Sequence, residues 1–95
     1  MTEFKKAILL NRKDNVATAI LPIKKGDNVV IIYNNEVVAE VISQDDIDMY
    51  HKIAITPIKV GDLIYKYGEV IGRATDYINT GQHVHVNNIE SVMTK

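Results

Sequence analysis

Short apolar runs separated by polar turns cover most of the chain. The runs are rich in Val and Ile, and none has the period of an amphipathic helix over ten or more residues. They occupy residues 7–11, 15–21, 29–33, 36–42, 52–58, 63–66, 70–74 and 83–86. Runs of this length that are bounded by Gly, Pro, Asn and Asp are typical of strands. The pattern therefore predicts an all-β domain.

Two connections have the composition of tight hairpin turns. Asn34-Asn35 separates the runs 29–33 and 36–42, and Asn tolerates the positive φ that a two-residue hairpin turn requires. Tyr67-Gly68-Glu69 separates the runs 63–66 and 70–74 in the same way. Both are predicted to join neighbouring antiparallel strands.

One segment, SQDDIDMYHK at 43–52, departs from the strand pattern. Ser43 or Asp45 is a suitable helix cap, and the nearby acidic side chains favour the first turn of a helix. We therefore expect one short helix here, of about two turns given its length. It is the single helical segment that the sequence predicts.

A phrase of six residues occurs twice. Pro-Ile-Lys-x-Gly-Asp stands at 22–27 and at 57–62, each time just before a β-favouring run, and a weaker echo follows at 77–84. Its glycines, Gly26, Gly61 and Gly81, suit turn positions that other residues reach only with strain. The phrase is therefore predicted to be a turn that precedes a strand. It is either recurrent hairpin construction or the mark of two similar three-stranded lobes wrapped together.

Length and composition limit the classes of protein. The 95 residues predict one domain, with a core over about 7–91 and a loose tail at 92–95. Eleven basic residues against twelve acidic ones give a net charge of −1, which argues against nucleic-acid binding. No apolar run approaches a membrane span, and the first residues do not resemble a signal peptide. With no cysteine present, we expect a cytoplasmic protein without disulfides or thiolate chemistry.

Three histidines are candidates for chemistry. His83 and His85 are two residues apart, so on a strand they share one face with Asn87. Two imidazoles at this spacing are suited to a transition metal, but the same pattern fits the polar outer face of a half-buried strand. His51 ends the predicted helix, where a cation interacts favourably with the helix dipole.

Other polar side chains have several interpretations. Glu69 follows Gly68 on a predicted tight turn, where its carboxylate can bind a metal, act as a base or remain solvated. Lys52 is by default exposed to solvent. The aspartates of the repeated phrase, Asp27 and Asp62, are better explained as turn residues than as catalysts. No nucleotide-binding fingerprint or phosphate loop is present.

The chain resembles a known family over about residues 7–91. The resemblance rests on HK at 51–52, KYGEVIG at 66–72 and GQHVHVNN at 81–88, in this order, and on NRKDNVATAILPIKKGD at 11–27. These motifs resemble the SAF-type domain found at the N-terminus of altronate and galactarate dehydratases, or as the separate small subunit of such sugar-acid lyases. Family members often carry a third His where this chain has Asn87.

The resemblance implies a fold and a reaction. The fold is an all-β β-clip (SAF-like) domain of pseudo-symmetric short strands with at most one short helix. The reaction is β-elimination of water from a hydroxy acid, with a divalent metal, namely iron, in the complete enzyme. Since the catalytic centre of the family lies mainly in a large subunit, the resemblance implies a small accessory subunit that is inactive alone.

The resemblance also assigns roles to individual side chains. His51, Lys52 and Glu69 are expected to be catalytic, Lys52 and His85 to bind the substrate, and His83 and His85 to bind the metal. The partners that the resemblance implies are a large dehydratase subunit and a sugar-acid substrate.

Three alternatives stay open at this point. A similar small subunit belongs to a sulfolactate sulfo-lyase, in which sulfite leaves instead of water. A second alternative is a non-catalytic module that binds a sugar acid or a protein partner. A third is a structural domain that oligomerises, for example as a homodimer formed by strand exchange.

Overall fold

The computed structural model describes residues 4–92, which form nine strands and no helix. The strands are β1 Phe4–Ile8, β2 Val16–Ala19, β3 Asn28–Tyr33, β4 Glu36–Ile42, β5 Lys52–Ala54, β6 Leu63–Lys66, β7 Glu69–Ala74, β8 His83–Val84 and β9 Ile89–Ser91. This confirms the prediction of an all-β domain. No helix that could cross a membrane occurs between residues 4 and 92.

The strands form two sheets. One has six strands in the order β4-β3-β1-β2-β5-β8, and the other has three in the order β6-β7-β9. The pairing of β1 with β3 is parallel, whereas the other strand pairs in the described chain are antiparallel. The pairing of β5 with β8 matters most for the site, because it joins segments about 30 residues apart in sequence.

Two successive segments repeat the same plan. The first lobe (residues 16–51) and the second lobe (52–82) each consist of a strand, a loop, a hairpin and another loop. The buried residues form two clusters, one around Ile31 that lies mainly in the first lobe and one around Ile64 that lies mainly in the second. The hairpin turns also correspond: Asn34-Asn35 has φ values of 54° and 68°, and Tyr67-Gly68 has values of 62° and 76°. Both predicted hairpins are therefore confirmed.

Four loops connect these elements, and they have the same form. Loop 1 (23–27) meets loop 2 (47–51) through an antiparallel bridge between Ile23 and Ile47. Loop 3 (58–62) meets loop 4 (78–82) through the bridge between Ile58 and Ile78. In each loop a buried Ile comes first and a residue of positive φ stands fourth. The loop that the repeated phrase predicts thus occurs four times in the described residues, and not three.

The predicted helix at 43–52 is wrong, because this segment contains loop 2. Its acidic side chains bind backbone amides of other segments instead of capping a helix: Asp46 accepts the N–H of Lys25, and Asp45 accepts the N–H of His83. Tyr50 stands where loops 1, 3 and 4 have Gly and adopts a φ of 72°. Because loop 2 has Tyr instead of Gly at this position, the sequence pattern did not identify it as a fourth copy of the loop.

Asp14 and Asn15 attach the hairpin of the second lobe to the start of β2. The buried Asp14 carboxylate accepts the N–H groups of Tyr67 and Gly68, each at 2.8 Å. The Asn15 side chain donates to the carbonyl of Leu63 and accepts the N–H of Tyr65, both at 2.9 Å. This part of the family motif therefore has a structural explanation.

Two strand boundaries differ from the sequence prediction near the C-terminus. The run 83–86 forms a strand only at His83–Val84, since the chain turns at residues 86–88. Residues 89–91 form β9 at the edge of the small sheet. Most of the predicted loose tail at 92–95 lies outside the described residues.

Candidate metal centre

Three imidazoles from two distant segments converge. One ring nitrogen each of His51, His83 and His85 lies within 4.8 Å of the other two. The rings stack with centroid separations of 5.1 Å for 51–83, 4.8 Å for 51–85 and 5.0 Å for 83–85. All three side chains are partly exposed, so a ligand can reach them from solvent.

Strand pairing accounts for the convergence. In the β5–β8 pair, Lys52 lies opposite Val84 and Ile53 opposite His83. His51 immediately precedes Lys52 and His85 immediately follows Val84. His51 and His85 therefore lie at the same end of the β5–β8 strand pair, and His83 lies within the pair, opposite Ile53.

His51 occupies a position that is structural in the other three loops. In loops 1, 3 and 4 the side chain of the fifth residue closes the loop by accepting the backbone N–H of the second residue. Asp27 accepts the N–H of Lys24, Asp62 that of Lys59, and Gln82 that of Asn79. His51 instead lies with Nδ1 2.9 Å from Nε2 of His83. The last side chain of loop 2 thus contacts another histidine instead of closing its own loop.

Partly buried hydrogen bonds hold the other two histidines in place. Asn88 donates from Nδ2 to the carbonyl of His83 at 2.8 Å and accepts the N–H of His85 on Oδ1 at 2.9 Å. Asp45 accepts the N–H of His83 at 2.9 Å. Because Asn88 is buried, its bonds are protected from water and fix the turn that follows β8.

The local electrostatics favour a neutral imidazole at His83. Partial burial lowers its pKa from the usual 6.5, and the neighbouring His85 and His51 lower it further, while Asp45 and Asp48 act in the opposite direction. A neutral imidazole has a free lone pair at neutral pH, as a metal ligand requires. Burial also lowers the pKa of Lys52, and the charge of Lys66 adds to this effect.

The residues present fit a transition metal. Imidazole nitrogen suits iron, zinc, copper and nickel. Nitrogens bound at about 2.0–2.1 Å to one tetrahedral ion lie roughly 3.3 Å apart. The His51 Nδ1 to His83 Nε2 separation is 2.9 Å, and one nitrogen from each of the three rings lies within 4.8 Å of the others, so the separations bracket this distance. Three ligands leave coordination positions open for another molecule.

The remaining predicted site residues lie in different surroundings. Lys52 is half-buried at the start of β5, next in sequence to His51. Glu69 is exposed at the start of β7, paired in register with Lys66, and it is not one of the converging ligands. The structure thus groups His51 with His83 and His85, and it leaves Glu69 out of the cluster.

A polar pocket of about 390 Å³ adjoins the cluster and shares His83 with it. Its lining includes the side chains of Lys25, Gln44, Gln82 and Asn87. Asn87, which the strand period predicts on the same face as His83, lines this pocket together with His83. The third imidazole of the cluster comes instead from His51, which sequence reasoning treated as a catalytic residue and not as a ligand.

Comparison with known proteins agrees with this architecture. A family model described as the altronate/galactarate dehydratase SAF domain matches residues 5–92. The chain is 40% identical over 87 residues to altronate dehydratase of Bacillus subtilis (strain 168), which covers 92% of this chain and 16% of that enzyme. It is 36% identical over 81 residues to altronate dehydratase of Escherichia coli (strain K12), covering 85% of this chain and 15% of the enzyme.

A smaller relative matches half of the chain. The (2R)-sulfolactate sulfo-lyase subunit alpha of Paracoccus pantotrophus is 39% identical over 46 residues, which cover 48% of this chain and 69% of that subunit. The matched region therefore covers about a sixth of each of the two altronate dehydratases and 69% of the sulfo-lyase subunit. The chain belongs to the SAF-domain family of altronate and galactarate dehydratases.

Proposed function

We propose that this chain is the small accessory component of a sugar-acid dehydratase and acts with a separate large chain. The observation that carries the proposal is the convergence of three imidazoles in a domain that belongs to a dehydratase family. The altronate dehydratases extend far beyond the region they share with this chain. In this proposal a separate polypeptide supplies the remainder of such an enzyme.

In this proposal His51, His83 and His85 hold a divalent metal, with iron as the expected ion. When bound, the metal supplies Lewis-acid stabilisation of the negative charge that develops as a proton leaves the carbon beside a carboxylate. The role of the chain is to hold the three imidazoles oriented and open to solvent on one side, with the pKa of His83 lowered by its partial burial. Asn88 and Asp45 maintain that arrangement through the backbone of His83 and His85.

Two further groups have proposed roles next to the metal ligands. Lys52 binds a substrate carboxylate, since it is a cation directly beside His51 on β5. His85 contacts the substrate from its open side. Glu69 keeps its predicted role as an acid–base residue. Since Glu69 is exposed on the β6–β7 hairpin, this role requires that the large chain or the substrate reach it.

A second candidate function is that of a sulfolactate sulfo-lyase small subunit. The specific observation in its favour is the coverage of that relative, 69% of subunit alpha against 16% of the Bacillus subtilis altronate dehydratase. Both reactions remove a leaving group next to a carbon that loses a proton, so the same histidine cluster suits either. Substrate turnover is the property that separates them.

The test is reconstitution of the chain with the large dehydratase chain of the same organism. Altronate, galactarate and sulfolactate are supplied to the mixture, to each component alone, and to mixtures that carry His85→Ala or Glu69→Gln. We expect dehydration of a sugar acid by the mixture only, and loss of activity with His85→Ala. Sulfite release from sulfolactate alone supports the second candidate, and equal turnover by the large chain alone contradicts both.

A further inference from the structure

Four exposed apolar residues lie on adjacent segments beside His51. Ile20 is 36% exposed, Leu21 and Met49 are 40% exposed, and Tyr50 is 70% exposed. The backbone N–H of Tyr50 donates to the carbonyl of Ala19, and Ile23 and Ile47 exchange both of their backbone hydrogen bonds. Segments 19–23 and 47–51 therefore run antiparallel and place the four residues, named here the loop 2 patch, on neighbouring strands of chain.

The second lobe contains the same backbone arrangement with a different surface. There the N–H of Gly81 donates to the carbonyl of Ala54, and Ile58 and Ile78 exchange both bonds. The positions that correspond to the loop 2 patch are occupied by Ile55, Thr56, Thr80 and Gly81. Three of these four are small or polar. The fold therefore does not require an apolar surface at this place, and the loop 2 patch needs another explanation.

Tyr50 adds an independent indication. Its φ of 72° lies in the left-handed region, which bulky side chains rarely adopt, while Gly26, Gly61 and Gly81 occupy the corresponding position in the other loops. Glycine would form the same loop without strain. What tyrosine alone contributes is a ring that is largely exposed to solvent, and such a ring adds little to the stability of the isolated chain.

We propose that the loop 2 patch is the surface on which the large dehydratase chain docks. The inference rests on the proposed function, and it deepens it by naming where the partner binds. Two observations favour this occupant. About five-sixths of the length of the altronate dehydratases lies outside the region shared with this chain. The loop 2 patch also continues directly into His51, so a chain docked there closes over the side of the histidine cluster.

Exposed aromatic and methionine side chains are enriched where protein interfaces are most strongly buried. Tyr50 has only two rotatable side-chain angles, so fixing its ring in an interface costs little conformational entropy. These properties fit a hydrophobic polypeptide surface better than a small polar ligand.

The experiment exchanges the loop 2 patch for its counterpart in the second lobe. The variant Leu21→Thr/Met49→Thr/Tyr50→Gly carries the residues that the second lobe has at these positions, and Val60→Thr/Tyr77→Thr removes two exposed apolar side chains elsewhere as a matched control. Binding to the large dehydratase chain of the same organism is measured by titration calorimetry. Circular dichroism and thermal melting of each variant confirm folding, and cobalt(II) titration confirms that the histidines still bind metal.

We expect the triple variant to bind the large chain at least 10-fold more weakly, with metal affinity unchanged and a melting temperature equal to or above that of the wild type. The control variant should bind as the wild type does. Undiminished binding by the triple variant overturns the docking surface and leaves the proposed function standing. If the wild type does not bind the large chain, the proposed function fails and the inference falls with it. A self-association that the triple variant abolishes, seen by sedimentation, also overturns the inference in favour of a second copy.

Discussion

The two lobes have the same backbone plan, but their last loops carry different side chains. The first lobe ends in Tyr50-His51 and the second in Gly81-Gln82. Gln82 closes its own loop by accepting the N–H of Asn79, whereas His51 leaves its loop and meets His83. The same turn position can therefore carry a side chain that closes its own loop, as Gln82 does, or one that contacts another segment, as His51 does.

The largest effect is expected where the lobes are joined. The Asp14 carboxylate accepts two backbone N–H groups of the second hairpin while buried, whereas the first hairpin turn at Asn34-Asn35 is exposed. Asp14→Ala leaves these two donors without a partner, and we expect a loss of about 3 kcal/mol in the free energy of unfolding. Urea denaturation measures it. Asn34→Ala, on the exposed turn, is the control, with an expected loss of about 1 kcal/mol for a less tolerated positive φ.

The next effect tests the chemical side of the comparison. His51→Gln gives loop 2 the residue that ends loop 4, so it removes one imidazole and supplies a side chain able to close the loop. Loss of a residue that supports a metal ligand typically lowers metal affinity by about 10- to 100-fold. We expect loss of the ligand His51 itself to lower it by at least as much. Cobalt(II) titration followed by absorption is the measurement. Glu69→Gln is the control, and equal affinity for the wild type and His51→Gln contradicts the role of His51.

The structural side of the comparison predicts a smaller effect. In loop 3 the Asp62 carboxylate accepts the N–H of Lys59 at 2.9 Å, as a capping side chain does at the start of a helix. Asp62→Ala should lower the free energy of unfolding by about 1 kcal/mol. His51→Ala, at the same position of loop 2, should lower the stability of the metal-free protein much less. Similar losses for both variants would show that the two positions are equivalent.

The smallest effect concerns pH. The pKa of His83 is lower in the folded chain than its usual value of 6.5, so the unfolded chain binds more protons between the two values. The stability of the metal-free protein should therefore decrease as the pH falls below about 6.5, and His83→Gln should reduce this dependence. Thermal melting between pH 5 and 8 measures it. If His83→Gln leaves the pH dependence of stability unchanged, that dependence comes from other titrating groups.

Sequence reasoning succeeded where the signal is local. The apolar runs gave the strands, and the tolerance of Asn34 and Asn35 for positive φ gave the first hairpin. The repeated glycines indicated the loops and the pseudo-symmetry. In each of these cases the residue itself determines the backbone conformation, so one short segment contains the necessary information.

It failed where distant segments decide the outcome. Loop 2 was predicted as a helix because Asp45 and Asp46 have the composition of a helix start, although their partners are amides at His83 and Lys25. The meeting of His51 with His83 depends on the pairing of β5 with β8, which periodicity does not reveal. The spacing of His83 and His85 predicted two neighbouring imidazoles, but His85 lies beyond the end of β8, in the turn held by Asn88, and not on a longer strand.

The most direct test of the histidine cluster is a crystal structure of the chain loaded with cobalt(II) or iron(II), with anomalous diffraction at the metal edge. We expect one main peak bound by ring nitrogens of His51, His83 and His85 at about 2.0–2.2 Å. A main peak at the carboxylates of Asp45 and Asp46, or none near the three imidazoles, would contradict the assignment of a metal centre to this domain.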